Sequence, residues 1–314
     1  MRPSVVALAS TAIDMRYLLP SFAAAGSGLD LRLGPDWGAL DEIDAVLCWH
    51  PPHGLAARLP RLRLVHSIAA GVDHITADPT LPADVPVCRV IDPDMASGMV
   101  SYVAWAVAHR HRHFDRYLER QRQSVWEESP IVPSRLHRVG IAGMGVLGRA
   151  VGAALATLGY DVAGWSRSAK TDLPAGVLGY HGAEELMAFL GRSDTLVCLL
   201  PLTEETRGFL AADLFRALPK GAHLVNVGRG AHLVDADLIA ALDENHLSAA
   251  TLDAFTEEPL PGDHPFWHHP RIVVTPHIAT RTAPSVVVAQ LLDNLARLEA
   301  GAPLVGAIDR LRGY

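Results

Sequence analysis

Three places in the chain put chemically active side chains directly behind short apolar runs. In HLVNVGRG, Arg229 stands between Gly228 and Gly230; in LDAFTEEPLP, Glu257 and Glu258 follow Phe255; in VVTPHIAT, His277 follows Val273 and Val274. A guanidinium is always charged, and burying it without a counter-charge is expensive, so Arg229 calls for an anion. A 2-oxo acid fits, because the planar fork of arginine can engage its carboxylate and carbonyl together, which a lysine cannot. A histidine beside a carboxylate is charged more readily and held in one orientation. As an imidazolium it can donate a proton to an alkoxide forming as hydride reaches the carbonyl carbon.

Those side chains act together only if the runs before them lie side by side. From Arg138 onward, strand-like runs (RVGIAG, DVAGWS, TLVCLL, AHLVNVG, AATLDAF, RIVVTPH) alternate with helical patterns (VLGRAVGAALATLG, AEELMAFLGR, ADLFRALP, and DADLIAALDEN with Asp235 as its cap). Such alternation predicts βαβ units and a doubly wound, mostly parallel α/β sheet, in which the carboxyl ends of the strands border a ligand crevice. Earlier strand candidates are VVALA, LDLRL, AVLCWH, LRLVHSI and PVCRV. A long helix is expected from Met95 to Gln123, then a break at EESPIVPSRL, and a last helix from Ala283 to Ala300.

The hydride needs a carrier. Gly143-Met144-Gly145-Val146-Leu147-Gly148 sits between a strand and a helix, the setting in which glycines permit a tight turn and let a pyrophosphate approach a helix N-terminus. The next strand ends in GWSRSAK. Ser166 stands where an NAD-selective site places a carboxylate for the ribose hydroxyls, and Arg167 follows, with Lys170 as a second cation. Nothing there repels a 2′-phosphate and Arg167 can pair with it, so NADPH is expected over NADH, with NADH a weaker possibility.

Bulk properties narrow the setting. The 314 residues suggest roughly two domains, and a hydrophobic content of 49% is enough for large cores. The net charge of −7 gives no reason to expect nucleic acid or an anionic membrane as partner. Cys48, Cys88 and Cys198 lie in apolar runs without a CxxC pair, which argues for a reducing compartment and against a disulfide framework or zinc site. The N-terminal run is too short and too interrupted, by Asp14 and Arg16, for a signal peptide, and no apolar stretch is long enough to span a bilayer. The cytoplasm is the expected location. In AHRHRHFDR only His109 and His113 would share a helical face, and Arg110 and Arg112 would oppose a cation, so no metal site is expected. His264, His268 and His269 fall in a Pro-rich loop and receive no role.

Taken together, the glycine motif, NVGRG, LDAFTEEPLP and TPHIAT resemble the D-isomer-specific 2-hydroxyacid dehydrogenase family. The separations agree, 258 − 229 = 29 residues and 277 − 258 = 19. The resemblance places the acid immediately before proline, selecting Glu258 over Glu257. It implies that Asp253 binds the nicotinamide carboxamide, and that Leu200, Pro201, Thr206 and Val227 also line the cofactor. It implies that IAAGVDHI supplies backbone N–H groups from Ala70, Gly71 and Val72 to the substrate carboxylate, facing Arg229. Trp49 is a candidate pocket wall that would limit substrate size. AVLCWHPP, SIAAGVDHI, FDRYLERQRQSVWEE and the terminal DRLRGY are similar to the glyoxylate/hydroxypyruvate reductase branch of the family. That likeness implies NADPH-dependent reduction of glyoxylate to glycolate and of hydroxypyruvate to D-glycerate, and a homodimer built largely on the long helix. It also implies a Rossmann-like cofactor domain over 99–283 and a second, smaller flavodoxin-like α/β substrate domain made from 1–98 and 284–314. Two alternatives stand beside it: another small 2-oxo acid as substrate, or a dinucleotide-sensing binding protein on the same fold. A formate-type relative would carry Gln in place of Glu258.

Overall fold

The structure, a computed structural model, describes residues 3–92 and 94–309; the terminal DRLRGY, past its first residue, lies outside them. The chain divides into one compact unit made of Met1–Pro93 and Arg281–Tyr314 and another made of Asp94–Thr280.

In the first unit the chain runs β1 (Val5–Ser10), α1 (Leu19–Ala24), β2 (Asp30–Leu33), β3 (Ala45–Trp49), β4 (Leu64–Ser67), α2 (Asp73–Thr76) and β5 (Val87–Cys88). The strands pair in parallel in the order β2-β1-β3-β4-β5, the flavodoxin-like order. Residues alternate faces along a strand, so β1 sends Val5, Ala7 and Ala9 into one core and Val6 and Leu8 into another. Both faces are covered, and the strand therefore reads as an unbroken apolar run.

The second unit begins with α3 (Asp94–His111) and α4 (Phe114–Arg122). It continues β6 (Arg138–Ala142), α5 (Val146–Thr157), β7 (Asp161–Ser166), β8 (Val177–His181), α6 (Gly182–Gly191), β9 (Thr195–Cys198), α7 (Ala212–Ala217), β10 (Ala222–Asn226), α8 (Asp235–Asp243), β11 (Leu247–Leu252) and β12 (Ile272–Val274). The seven strands lie parallel in the order β12-β11-β10-β9-β6-β7-β8. The direction of winding reverses between β6 and β9, where a doubly wound sheet opens its crevice. The last helix, α9 (Pro284–Ala300), returns to the first unit, where Val287, Val288 and Leu291 pack on the face that holds Val6 and Leu8. Pro284 opens it and Gly301, at φ 65°, closes it.

Several local expectations are corrected. The single helix from Met95 to Gln123 is two helices, because the chain turns at His113, at φ 58°. Arg110 spans the break, pairing with Asp115 and donating from Nε to Ser248 Oγ at 3.2 Å. His109 and His113 therefore share no helical face. Asp235 is the first residue of α8 and not its cap; Val234 holds the cap position, and the Asp235 carboxylate turns toward His264 at 3.4 Å. The unexpected strand β8 is an edge strand of mostly exposed and half-exposed residues around Gly179, so no apolar run signals it.

Candidate active site

Arg229, Glu258 and His277 follow β10, β11 and β12, three consecutive strands in one sheet. Parallel pairing puts their carboxyl ends at the same edge, so the side chains converge without any long excursion of the chain. Gly230 tightens the arrangement. A Cβ there would lie 1.8 Å from the carbonyl carbon of Phe255, so only glycine lets the Arg229 loop touch the turn after β11. That same Phe255 donates its backbone N–H to Glu258 Oε1 at 2.9 Å.

Glu258 and His277 form the charged pair of the site. His277 Nδ1 lies 2.8 Å from Glu258 Oε2 and 3.0 Å from Oε1. Burial opposes ionisation of Glu258, but the His277 hydrogen bond and charge, the Phe255 N–H and the charge of Arg229 outweigh it and hold the carboxyl below its usual range. The influence of Arg229 on Glu258 places the three groups in one electrostatic neighbourhood. The pair is partly open, with side-chain exposures of 30% for His277 and 24% for Glu258, so a small molecule can reach it. His277 itself has φ 52°, a backbone conformation that a bulky residue rarely adopts without support.

Asp253 supplies that support. It is 1% exposed, and its carboxylate accepts from Ile278 N–H at 2.8 Å, Ala279 N–H at 2.7 Å and Thr275 Oγ1 at 2.6 Å. Thr275 is joined in turn to the Tyr102 hydroxyl of α3. The segment carrying His277 is thus fastened on both sides of the imidazole. These bonds fix the Asp253 carboxylate within its own unit.

Around the glycine motif, Gly143 has φ 110°, and a Cβ on Gly148 would lie 1.9 Å from the Gly143 carbonyl oxygen. This cradle admits glycine alone, and α5 starts at Val146 with no side-chain cap over its first N–H groups, the form that holds a pyrophosphate. The Met144 side chain is buried and packs on Gly164, so only its backbone is placed to meet a ligand. Val146 is exposed and Leu147 packs on the core. Ser166 is buried at the end of β7, its hydroxyl donating to the Ser168 carbonyl at 2.8 Å. Arg167 and Lys170 are exposed just beyond. The Glu205 carboxyl is held low by the Thr203 hydroxyl first, with the charge of Arg167 adding to it, so Arg167 borders the loop after β9. In that loop Leu200 is buried, and the Pro201 carbonyl accepts from Thr206 Oγ1 at 2.7 Å. Val227 is buried at the end of β10.

In the first unit, Trp49 packs edge-on to His50 and tilted on His74, with ring centroids 4.9 Å and 4.3 Å apart. The loop after β4 is shaped by Ser67, whose hydroxyl donates to the Gly71 carbonyl at 3.0 Å and accepts the Ala69 N–H at 3.1 Å. Ala70 and Gly71 are half-buried, and Val72 is buried at the head of α2.

Sequence reasoning passed over His232, which lies three residues beyond Arg229 and is 0% exposed. A histidine inside AHLV, directly behind the functional arginine, is the signal that was there to read. Among the described residues no cluster suits a metal ion, and no helix is long and apolar enough to cross a membrane.

Residues 104–279 match the model of the D-isomer specific 2-hydroxyacid dehydrogenase NAD binding domain. A glyoxylate/hydroxypyruvate reductase A from Serratia proteamaculans is 44% identical over 278 residues, covering 86% of this chain and 88% of that protein. A solved D-isomer specific 2-hydroxyacid dehydrogenase from Xanthobacter autotrophicus, in complex with NADPH and MES, superposes with a TM-score of 0.88 at 39% identity over all of both chains. An NADPH-dependent glyoxylate/hydroxypyruvate reductase from Sinorhizobium meliloti, in complex with NADP and sulfate, gives 0.90 at 35% identity over 99% of this chain and 100% of that one.

Proposed function

The chain belongs to the D-isomer-specific 2-hydroxyacid dehydrogenase family, and from that premise we propose that it reduces glyoxylate to glycolate and hydroxypyruvate to D-glycerate at the expense of NADPH. The observation that carries the chemistry is the His277–Glu258 contact beside Arg229 at three adjacent strand ends. The relatives named for these substrates support their choice.

The glycine cradle of Gly143, Gly145 and Gly148 and the uncapped start of α5 suit the pyrophosphate of NADPH. Arg167, with Lys170, would meet its 2′-phosphate. When bound, the cofactor supplies the hydride. Arg229 binds the substrate carboxylate and carbonyl oxygen and fixes which carbon is presented. His277, with Nδ1 committed to Glu258, gives its Nε2 proton to the oxygen as negative charge develops there. Glu258 holds the imidazole in that orientation. Ala70, Gly71 and Val72 as backbone donors to the carboxylate, and Trp49 as a limit on substrate size, are part of the proposal, as is a homodimer. The cytoplasmic location rests on three free, buried cysteines.

NADPH oxidation measured with glyoxylate, hydroxypyruvate, pyruvate and phenylpyruvate tests the reading. Turnover of the first two above the others is the expected result. Preference for another oxo acid moves the chain to a sibling activity, and no turnover on any of them favours a dinucleotide sensor. Arg167→Ala should raise the KM for NADPH roughly tenfold, as expected for losing a charge-assisted phosphate contact, and leave that for NADH nearly unchanged. Equal effects on both remove the assignment of Arg167.

A further inference from the structure

We propose that His232 is a positioning residue that ties the substrate-binding arginine to the cofactor loop, each through one nitrogen of a single neutral tautomer. The inference rests on the functional reading above and concerns how that site is held.

The Arg229 backbone N–H donates to His232 Nδ1 at 3.0 Å. On the other side of the ring, His232 Nε2 lies 3.3 Å from the Pro201 carbonyl oxygen. An N–H can donate only to an unprotonated nitrogen, and a carbonyl can only accept. The two contacts together therefore require Nδ1 bare and Nε2 carrying hydrogen, and they exclude the imidazolium. The ring has little freedom to do otherwise. It is fully buried, and a Cβ on Gly228 would lie 3.0 Å from Nδ1 and 3.1 Å from Cε1. The His232 backbone N–H also returns a bond to the Arg229 carbonyl at 3.2 Å.

The two loops joined in this way do different things. One carries Arg229, whose carbonyl is further held by Asn226 Nδ2 at 3.1 Å. The other carries Pro201, whose carbonyl also takes the Thr206 hydroxyl. A change of tautomer or of ring position would move the guanidinium and the cofactor loop together, and misplacement of about 1 Å in a positioned group is enough to cost a large factor in rate.

Two substitutions separate the halves of the link. His232→Asn can keep an acceptor near the position of Nδ1 and loses the donor to Pro201. His232→Gln can keep a donor near the position of Nε2 and loses the acceptor for Arg229. The expected split is a KM for glyoxylate raised roughly tenfold in His232→Gln with the KM for NADPH within about twofold, and the reverse in His232→Asn. Equal changes in both constants for both variants, or no change in folded protein, overturn the proposal. The wild-type protein provides a readout that does not depend on the variants folding. Nitrogen-15 correlation spectra of the histidine rings should show His232 neutral, with Nε2 protonated, through the working pH range. An Nδ1–H tautomer or an imidazolium at neutral pH refutes it. Wild-type turnover tests the parent reading separately: its failure removes the substrate assignment, while the ring spectrum and the NADPH affinity of the variants still decide the tautomer and the link.

Discussion

The Glu258 carboxylate bears on both the acid stability of the fold and the rate of the reaction. Its folded-state pKa is depressed, since the His277 contacts, the Phe255 N–H and Arg229 outweigh its burial. A depressed carboxylate contributes stability that is present above the ordinary glutamate range and is lost as pH falls through the lowered value. In the reaction Glu258 holds the proton donor in place, with His277 Nδ1 2.8 Å from its Oε2. Glu258→Gln keeps an acceptor for Nδ1 but removes the charge. It should lower kcat/KM at neutral pH roughly ten- to a hundredfold, because the proton donor loses the charge that orients it. Steady-state kinetics with glyoxylate measure the loss, and an unchanged kcat/KM in folded protein contradicts the pairing.

Among the elements, the break between α3 and α4 has a visible consequence. Once the chain turns at His113, α4 and the segment after it present Phe114, Leu118, Val125, Trp126, Ile131, Val132 and Leu136 to solvent, Trp126 at 96% exposure. A concentration of large exposed apolar side chains on one stretch suits a surface for another protein. It is where the proposed homodimer would gain its apolar contact. Trp126→Glu should weaken dimerisation about a hundredfold or more, because an interfacial tryptophan commonly carries much of the binding energy. Sedimentation equilibrium reads the result directly. A wild-type monomer, or a variant dimer of unchanged affinity, removes this surface from the assembly.

For the molecule as a whole, acid stability is governed by histidines that folding buries neutral. Burial takes His66 and His137 down to about 4 and His223 to about 3, and it lowers His111 as well. His111 and His137 also stack with centroids 4.4 Å apart, so a proton on one opposes a proton on the other. These groups bind protons in the unfolded chain near the ordinary value of about 6.5 and resist them in the fold. Stability is therefore full above that pH and declines as pH falls through it toward about 4, where His66 and His137 titrate in the fold. Below that window the paired carboxylates, Asp194 with Arg138 and Glu258 with His277, add to the loss. His137→Gln retains a partner for Thr195 Oγ1 and removes one such group. The slope of unfolding free energy against pH should become shallower by about one proton in that window. Urea unfolding at a series of pH values gives the slope, and an unchanged one rules out His137 as a contributor.

Much of this protein was legible in its linear order. Apolar runs alternating with helical patterns are enough to indicate parallel α/β sheets, because a strand buried on both faces is largely apolar. The glycine spacing of 143, 145 and 148 is legible because Gly143 and Gly148 admit no side chain and Gly145 faces open space where a ligand can approach, and Arg229, Glu258 and His277 are legible because charged groups at strand ends need partners. Tertiary structure decided the rest. The edge strand β8 lacks an apolar run because half of it faces water. The turn at His113 is made by bonds from Arg110 to residues on other elements. The contact of His232 with Pro201, and the bonds accepted by Asp253 that hold the His277 segment, join atoms 22 to 31 residues apart in the chain. Composition and periodicity report what each residue prefers; only packing reports which hydrogen-bonding group, distant along the chain, it will meet.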